Sequence, residues 1–250
     1  VRGLRERLRS ASSSPASVPR DLDATLRPYQ KEGLAWLYTV ASLGLGGCLA
    51  DDMGLGKTIQ VLALILRMKT EGALEAPCLL VVPASLLGNW RREIQRFAPS
   101  LRLRTAHRSG SEPLAEVLAH LDDADVIMTT YGTLPRLEPL TSRRWPLVVI
   151  DEAQAIKNQD TLQSRTVRAL EADARVALTG TPVENHLGEL WALFAFLEPG
   201  LLGRQAPFKR FVAQLDEAGD YDPLKKLIRP YVLRREKTDK RIIRDLPDKT

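Results

Sequence analysis

The sequence predicts an α/β fold, a parallel sheet covered by helices on both faces, with a helical protrusion towards the C-terminus. Three observations carry that expectation. Short apolar runs alternate with helix-like segments from Leu26 onward. The run at 47–50 leads into a glycine-containing loop and then an amphipathic stretch. The run at 147–150 ends on two adjacent carboxylates. In open parallel sheets ligands sit at the carboxyl ends of the strands, so the residues just after each run are where chemistry is sought.

Five runs read as strands, at 47–50, 78–82, 126–129, 147–150 and 176–179. Each is short and rich in Leu or β-branched residues, and each is followed by a polar loop. Residues 1–25 read as an arm and linker, because ASSSPASVPR is dominated by Ser, Ala and Pro. Residues 26–185 form the expected α/β body. After about Glu184 the strand signal fades. Helices are expected at 186–197, 207–215 and 223–228, so residues 186–250 read as a helical protrusion followed by a basic segment.

Composition sets bounds on function. Hydrophobic residues make up 44% and charged residues 27% of the 250, ordinary values for a globular chain. No apolar run reaches about 18 residues, so no membrane-spanning helix and no membrane partner are expected. The basic start, VRGLRERLRS, has no apolar core behind it and does not read as a secretory signal. Cys48 and Cys78 each open an apolar segment at no zinc-like spacing, and read as buried thiols of a reducing compartment. The net charge of +5 is concentrated: residues 225–250 hold ten Lys/Arg and four Asp/Glu, leaving the rest at −1. Such a surplus suits a polyanion and suits a solvated charged helix equally well.

The segment CLADDMGLGKTIQVLALIL reads as strand, loop and helix. Gly54, Gly56, Lys57 and Thr58 match the end of the phosphate-loop pattern G-x-x-x-x-G-K-[ST]. Glycines there let backbone N–H groups approach phosphate without a Cβ clash, and the following helix points its positive end at the anion. Lys57 is expected on the β and γ phosphates and Thr58 on magnesium. Asp51 stands where the pattern has its first glycine, and a chance glycine turn before a core helix is the plain alternative.

WPLVVIDEAQ is an apolar strand ending in Asp151 and Glu152. Adjacent carboxylates at the end of a buried strand are costly without partners. In a phosphate-loop enzyme the first holds magnesium and the second activates the attacking water. An acidic helix start is the alternative reading.

Together these pieces resemble the Swi/Snf family of superfamily-two helicase-like ATPases. The matching stretches are LRPYQKEGLAWL, LADDMGLGKT, LLVVPASLLGNWRREIQRF, DVIMTTYGTL, VVIDEAQAIKN, ALTGTPVENHLGELWALFAFLEPGLLG and LIRPYVLRREKTDKRIIRDLPDK, which cover nearly all of residues 26–250. The DEAQ spelling and the closing segment look closest to the bacterial branch. The resemblance implies the first RecA-like ATP-binding lobe of a duplex-DNA-stimulated translocase that uses ATP and Mg2+ and remodels DNA-bound proteins. It implies a nucleoid-associated location in a bacterium and a nuclear one in a eukaryote. It also implies a second RecA-like lobe beyond Thr250, so the chain alone is expected to turn ATP over poorly. The alternatives are an RNA or single-strand helicase lobe and a nucleotide-binding docking module without turnover.

Carried over residue by residue, the resemblance implies that Gln30 bonds the adenine, with Arg27 and Tyr29 shaping that site. Asp52, Met53, Gly54, Leu55, Gly56, Lys57 and Thr58 would cradle the phosphates. Asp151 and Thr58 would serve magnesium and Glu152 the attacking water. Gln154, Thr179, Gly180 and Thr181 would couple nucleotide state to DNA grip. Ser85, Asn89 and Trp90, and then Thr129, Thr130 and Tyr131, would face the DNA backbone, where hydroxyls and backbone N–H groups contact phosphate without reading bases. Leu86, Leu87, Trp90, Ile94 and Phe97 also fall at helical spacing, which favours a core position for Trp90, and Tyr131 could equally pack. Asp52 stands where the family more often has Glu, and Gln154 where it often has His. His107 and His120 read as surface residues and His186 as a helix-start residue.

Overall fold

The computed structural model describes residues 17–180 and 187–239. Seven parallel strands form one sheet in the order β3-β4-β2-β5-β6-β1-β7. The strands are β1 Gly46–Leu49, β2 Cys78–Val82, β3 Leu103–Thr105, β4 Val126–Thr130, β5 Arg144–Ile150, β6 Glu171–Leu178 and β7 Val232–Leu233. The helices are α1 Pro28–Ser42, α2 Lys57–Thr70, α3 Leu87–Phe97, α4 Leu114–Ala119, α5 Glu138–Thr141, α6 Leu162–Ala169, α7 Leu187–Leu197, α8 Gln205–Ala218 and α9 Asp222–Ile228.

All five expected runs are strands; β2 has the expected limits and the other four are shifted. β1 begins and ends one residue early, and β5 and β6 begin three and five residues before the apolar runs did. Two strands escaped the sequence reading. β3 carries two arginines in and beside three residues, and β7 is two residues long, so neither shows an apolar run. β7 corrects the expectation that the sheet ends before residue 184. It pairs Val232 with Cys48 and Leu233 with Leu49, and so brings the basic segment alongside β1.

Strand side chains alternate between two cores, as the period of two requires. Cys78, Leu80 and Val82 face one layer with residues of α1, α2 and α3. Leu79 and Val81 face the other with residues of α4, α5, α6 and α7. Burial on both faces explains why the strands read as continuous apolar runs rather than alternating ones. A third cluster joins Leu190 and Phe194 of α7 to Phe208 and Leu215 of α8 and Leu224 and Ile228 of α9. This is the helical element expected after residue 186. Cys48 and Cys78 are free and fully buried, and burial pushes both thiols up to about 12.

Candidate nucleotide site

The site lies at the carboxyl ends of three neighbouring strands. β1 supplies the phosphate loop, β6 supplies Thr179 and Gly180, and β5 supplies Asp151 and Glu152. Thr181 lies outside the described residues.

Loop 50–56 turns through two left-handed glycines, Gly54 at φ 82° and Gly56 at φ 76°, which other residues adopt only with strain. A Cβ on Gly56 would meet Gln30 Nε2 at 2.4 Å, so helix α1 sits hard against the loop. Met53 is exposed, whereas Leu55 is fully buried and anchors the loop. Tyr29 Oη and Gln30 Nε2 both donate to the Leu55 carbonyl at 3.2 Å. Gln30 Oε1 accepts from the Arg27 backbone N–H at 3.0 Å. The expected adenine-binding residue therefore spends its amide on the loop, and is 8% exposed.

Lys57 opens α2. Its Nζ donates to the carbonyls of Asp51 at 2.7 Å and Asp52 at 3.4 Å. Burial lowers its pKa, against the pull of Asp51, Glu152, Asp151 and Asp52. The ammonium is thus desolvated and held by carbonyl oxygens of the loop. Thr58 is half-buried on the first turn of the same helix. Gly180 approaches from β6: a Cβ there would lie 2.9 Å from Met53 Cγ and 3.9 Å from Lys57 Nζ.

The acidic pair sits opposite. Asp151 is 9% exposed, and burial raises its pKa while the Trp90 and Glu152 N–H groups pull it down. Glu152 is the sole non-glycine with positive φ among the described residues, at 50°. Such a conformation costs about 1–3 kcal/mol and persists only where surrounding contacts impose it. The imposing contacts are the Glu152 N–H on Asp151 Oδ1 at 2.8 Å and the Tyr131 hydroxyl on the Asp151 carbonyl at 2.6 Å. Gln154, one of the expected coupling residues, then bridges the acidic pair to another, Thr179. Its Nε2 donates to Glu152 Oε2 at 2.6 Å, and its Oε1 accepts from Thr179 Oγ1 at 3.2 Å.

These residues fit a magnesium nucleotide. The loop gives a close-approach cradle, Lys57 a desolvated charge, and Thr58 and Asp151 the hard oxygens magnesium prefers. That ion is usually held by one or two carboxylates plus phosphate oxygens, so no all-protein cage is needed.

The residues expected to face DNA divide. Ser85 is exposed and Asn89 half-buried, with Asn89 Nδ2 on Glu93 Oε1 at 3.1 Å. Thr129, Thr130 and Tyr131 are all buried, and their hydroxyls turn inward. Thr129 donates to the Ala106 carbonyl at 2.8 Å, Thr130 to Thr133 Oγ1 at 2.9 Å, and Tyr131 to Asp151 as above. Trp90 is 1% exposed, in the core as its helical spacing favoured, yet its Nε1 reaches Asp151 Oδ2 at 2.8 Å.

Two site residues were missed by sequence reasoning. Arg235 Nε donates to Asp51 Oδ1 at 2.9 Å, and its second amine reaches Asp51 Oδ2 and, at 2.7 Å, Gln60 Oε1. Its remaining amine bonds the Tyr29 carbonyl. Asp51, the departure from the loop pattern, is thus the buried anchor of an arginine from the basic segment. Lys237 lies beside the loop as well: its N–H donates to Asp52 Oδ2 at 2.9 Å, and its Nζ is 3.3 Å from where a Gly54 Cβ would be. The charge surplus after Lys225 was the available signal, but charge alone does not tell a solvated lysine from a buried arginine.

The SNF2-related domain model matches residues 29–250. The chain is 43% identical to the putative ATP-dependent helicase/translocase YwqA of Bacillus subtilis, over 100% of this chain and 28% of that protein. It is 37% identical to the Zorya protein ZorD of Escherichia coli, over 100% of this chain and 26% of that protein. The chain thus spans about a quarter of the length of these relatives. Among solved structures, the Sulfolobus solfataricus SWI2/SNF2 ATPase core in complex with dsDNA superposes with a TM-score of 0.86 at 45% identity, over 92% of this chain and 48% of that one. The same core described without DNA gives a TM-score of 0.82 over 92% of this chain and 47% of that one.

Proposed function

We propose that this chain, which belongs to the SNF2-related family, is the ATP-binding lobe of a motor that couples ATP hydrolysis to movement along duplex DNA and to remodelling of proteins bound there. The observation that carries the reading is the convergence of three adjacent strand ends. Lys57, Thr179–Gly180 and Asp151–Glu152 come from β1, β6 and β5, with Gln154 linking the last two groups. Likeness to a core whose structure contains dsDNA supports duplex DNA as the track.

Bound MgATP would supply the phosphoryl group and the metal charge. Lys57 would neutralise the terminal phosphates, and Thr58 and Asp151 would hold the metal. Glu152 takes the proton of the attacking water, with its carboxylate oriented by the Gln154 amide. Thr179 senses that carboxylate through the same amide. A second lobe would close the cleft and add the positive charge that stabilises the transition state.

The test is ATP turnover by the full-length protein without nucleic acid, with duplex DNA and with RNA. Stimulation by duplex DNA that disappears in Glu152→Gln is expected. Stimulation by RNA alone would move the protein to an RNA helicase function.

A further inference from the structure

Asp151 is gripped from two directions by residues of the loops expected to meet DNA. Trp90 follows Asn89 in α3, just beyond the short 3-10 turn Ala84–Leu86 that carries the exposed Ser85 after β2. Tyr131 follows Thr130 at the end of β4. β4, β2 and β5 are neighbours in the sheet, so both loops lie beside the acidic strand end. Trp90 donates to the Asp151 side chain at 2.8 Å, and Tyr131 to its main-chain carbonyl at 2.6 Å. Both donors are buried.

We propose that Trp90 and Tyr131 are positioning residues that transmit DNA contact at the β2 and β4 loops to the metal carboxylate and the catalytic glutamate. The inference rests on the duplex-DNA reading above. The two bonds act on different parts of the site. The indole N–H fixes the rotation of the Asp151 carboxylate, and therefore which oxygen lone pairs remain for a metal. The phenol fixes the tilt of the 151–152 peptide, and that peptide sets the left-handed backbone of Glu152. A small shift of α3 would turn the carboxylate, and a small shift of the β4 loop would swing Glu152. A packed interior passes such shifts on rather than absorbing them. These side chains are therefore not core filler alone: each carries its one polar atom to the acidic box.

Coupling between two ligands is reciprocal, so it can be read as binding. The experiment measures affinity of the full-length protein for a non-hydrolysable ATP analogue with Mg2+, with and without a short duplex. It does so for wild type, Trp90→Phe and Tyr131→Phe, and measures duplex affinity without nucleotide in parallel. Each substitution removes one hydrogen-bond donor and keeps an aromatic ring. Wild type is expected to show a DNA-induced change of about tenfold in analogue affinity, within the usual range for coupled sites. Each variant should cut that change to about twofold or less, with duplex affinity kept. Variants that keep the full change, or that lose it only together with duplex affinity, overturn the proposal. A wild type indifferent to duplex DNA overturns the motor reading itself. Should Trp90→Phe fail to fold, Tyr131→Phe decides alone, since it removes one oxygen and leaves the ring.

Discussion

Arg235 closes onto Asp51 across 184 positions of chain, with its side chain 9% exposed and the aspartate fully buried. The aspartate occupies the place of a phosphate-loop glycine and gives the loop a fixed anchor instead of an open turn. Removing one partner of such a pair strands a buried charge, at a cost of about 3–5 kcal/mol. Arg235→Met is expected to lose about that much stability in urea unfolding. Arg235→Met combined with Asp51→Asn should recover most of it, since the stranded charge is then gone.

Lys57 makes stability depend on alkaline pH. The unfolded amine keeps its proton up to its ordinary 10.5, and the folded amine releases it sooner because burial disfavours the charge. Between those values the unfolded state binds more protons, so stability rises with pH across the window. Below the window the cost of the buried charge is carried in full. Lys57→Met should flatten that rise, measured as the difference in melting temperature from wild type between neutral pH and pH about 10.5. The same change should weaken MgATP binding by about 10–100-fold, the worth of a charge-assisted hydrogen bond.

How much of this was legible beforehand differs by element. The strands bearing chemistry were readable because burial on both faces leaves apolar runs. The phosphate loop and acidic box stand at their ends, in motif order, with the fold's own logic placing them together. The third dimension was not readable. Nothing local marks Thr129 or Tyr131 as inward-facing, since a hydroxyl at a strand end suits phosphate and a buried carbonyl alike. Arg235 was hidden for a similar reason, because its partner is set by the pairing of a two-residue strand with no periodic signal.

Gln154 joins Glu152 to Thr179, and the bridge needs one donor and one acceptor. Gln154→Leu supplies neither. Its DNA-stimulated turnover should fall, with analogue affinity changed little. Gln154→His can supply both as a neutral ring, so its turnover should hold at pH 8 and decline as pH falls through about 6.5, where the ring gains a proton and loses its acceptor. Turnover measured against pH for the two variants checks this.

Glu152→Gln keeps an oxygen for the Gln154 amide and loses the base. Turnover should fall by about 10²–10⁴-fold, with analogue binding retained. Stopped-flow binding beside steady-state turnover separates the two.

A cleft at the protrusion is lined by Asp222, Lys225, Lys226, Arg229 and Arg234, among others. If the basic segment meets phosphate, replacing Lys225, Lys226 and Arg229 by Gln should flatten the dependence of duplex affinity on salt, by about 0.9 in the log–log slope for each side chain that had neutralised a phosphate. An unchanged slope would assign those charges to solvent or to another part of the protein.

The short strand β7 has a consequence for the order in which the molecule assembles. β1 carries the phosphate loop from near the start of the sequence, but its outer edge is covered only when Val232 and Leu233 arrive. Ala50 N–H bonds the Leu233 carbonyl and Asp52 N–H the Arg235 carbonyl, so the loop's own amides wait on the same event. The entropy of closing so long a circuit is lost before the contact returns anything. A ribosome would have to release residue 235 before the phosphate loop had its final shape, and a chain cut short of residue 232 would leave the edge of β1 bare beside that loop, an invitation to pair with a neighbour instead.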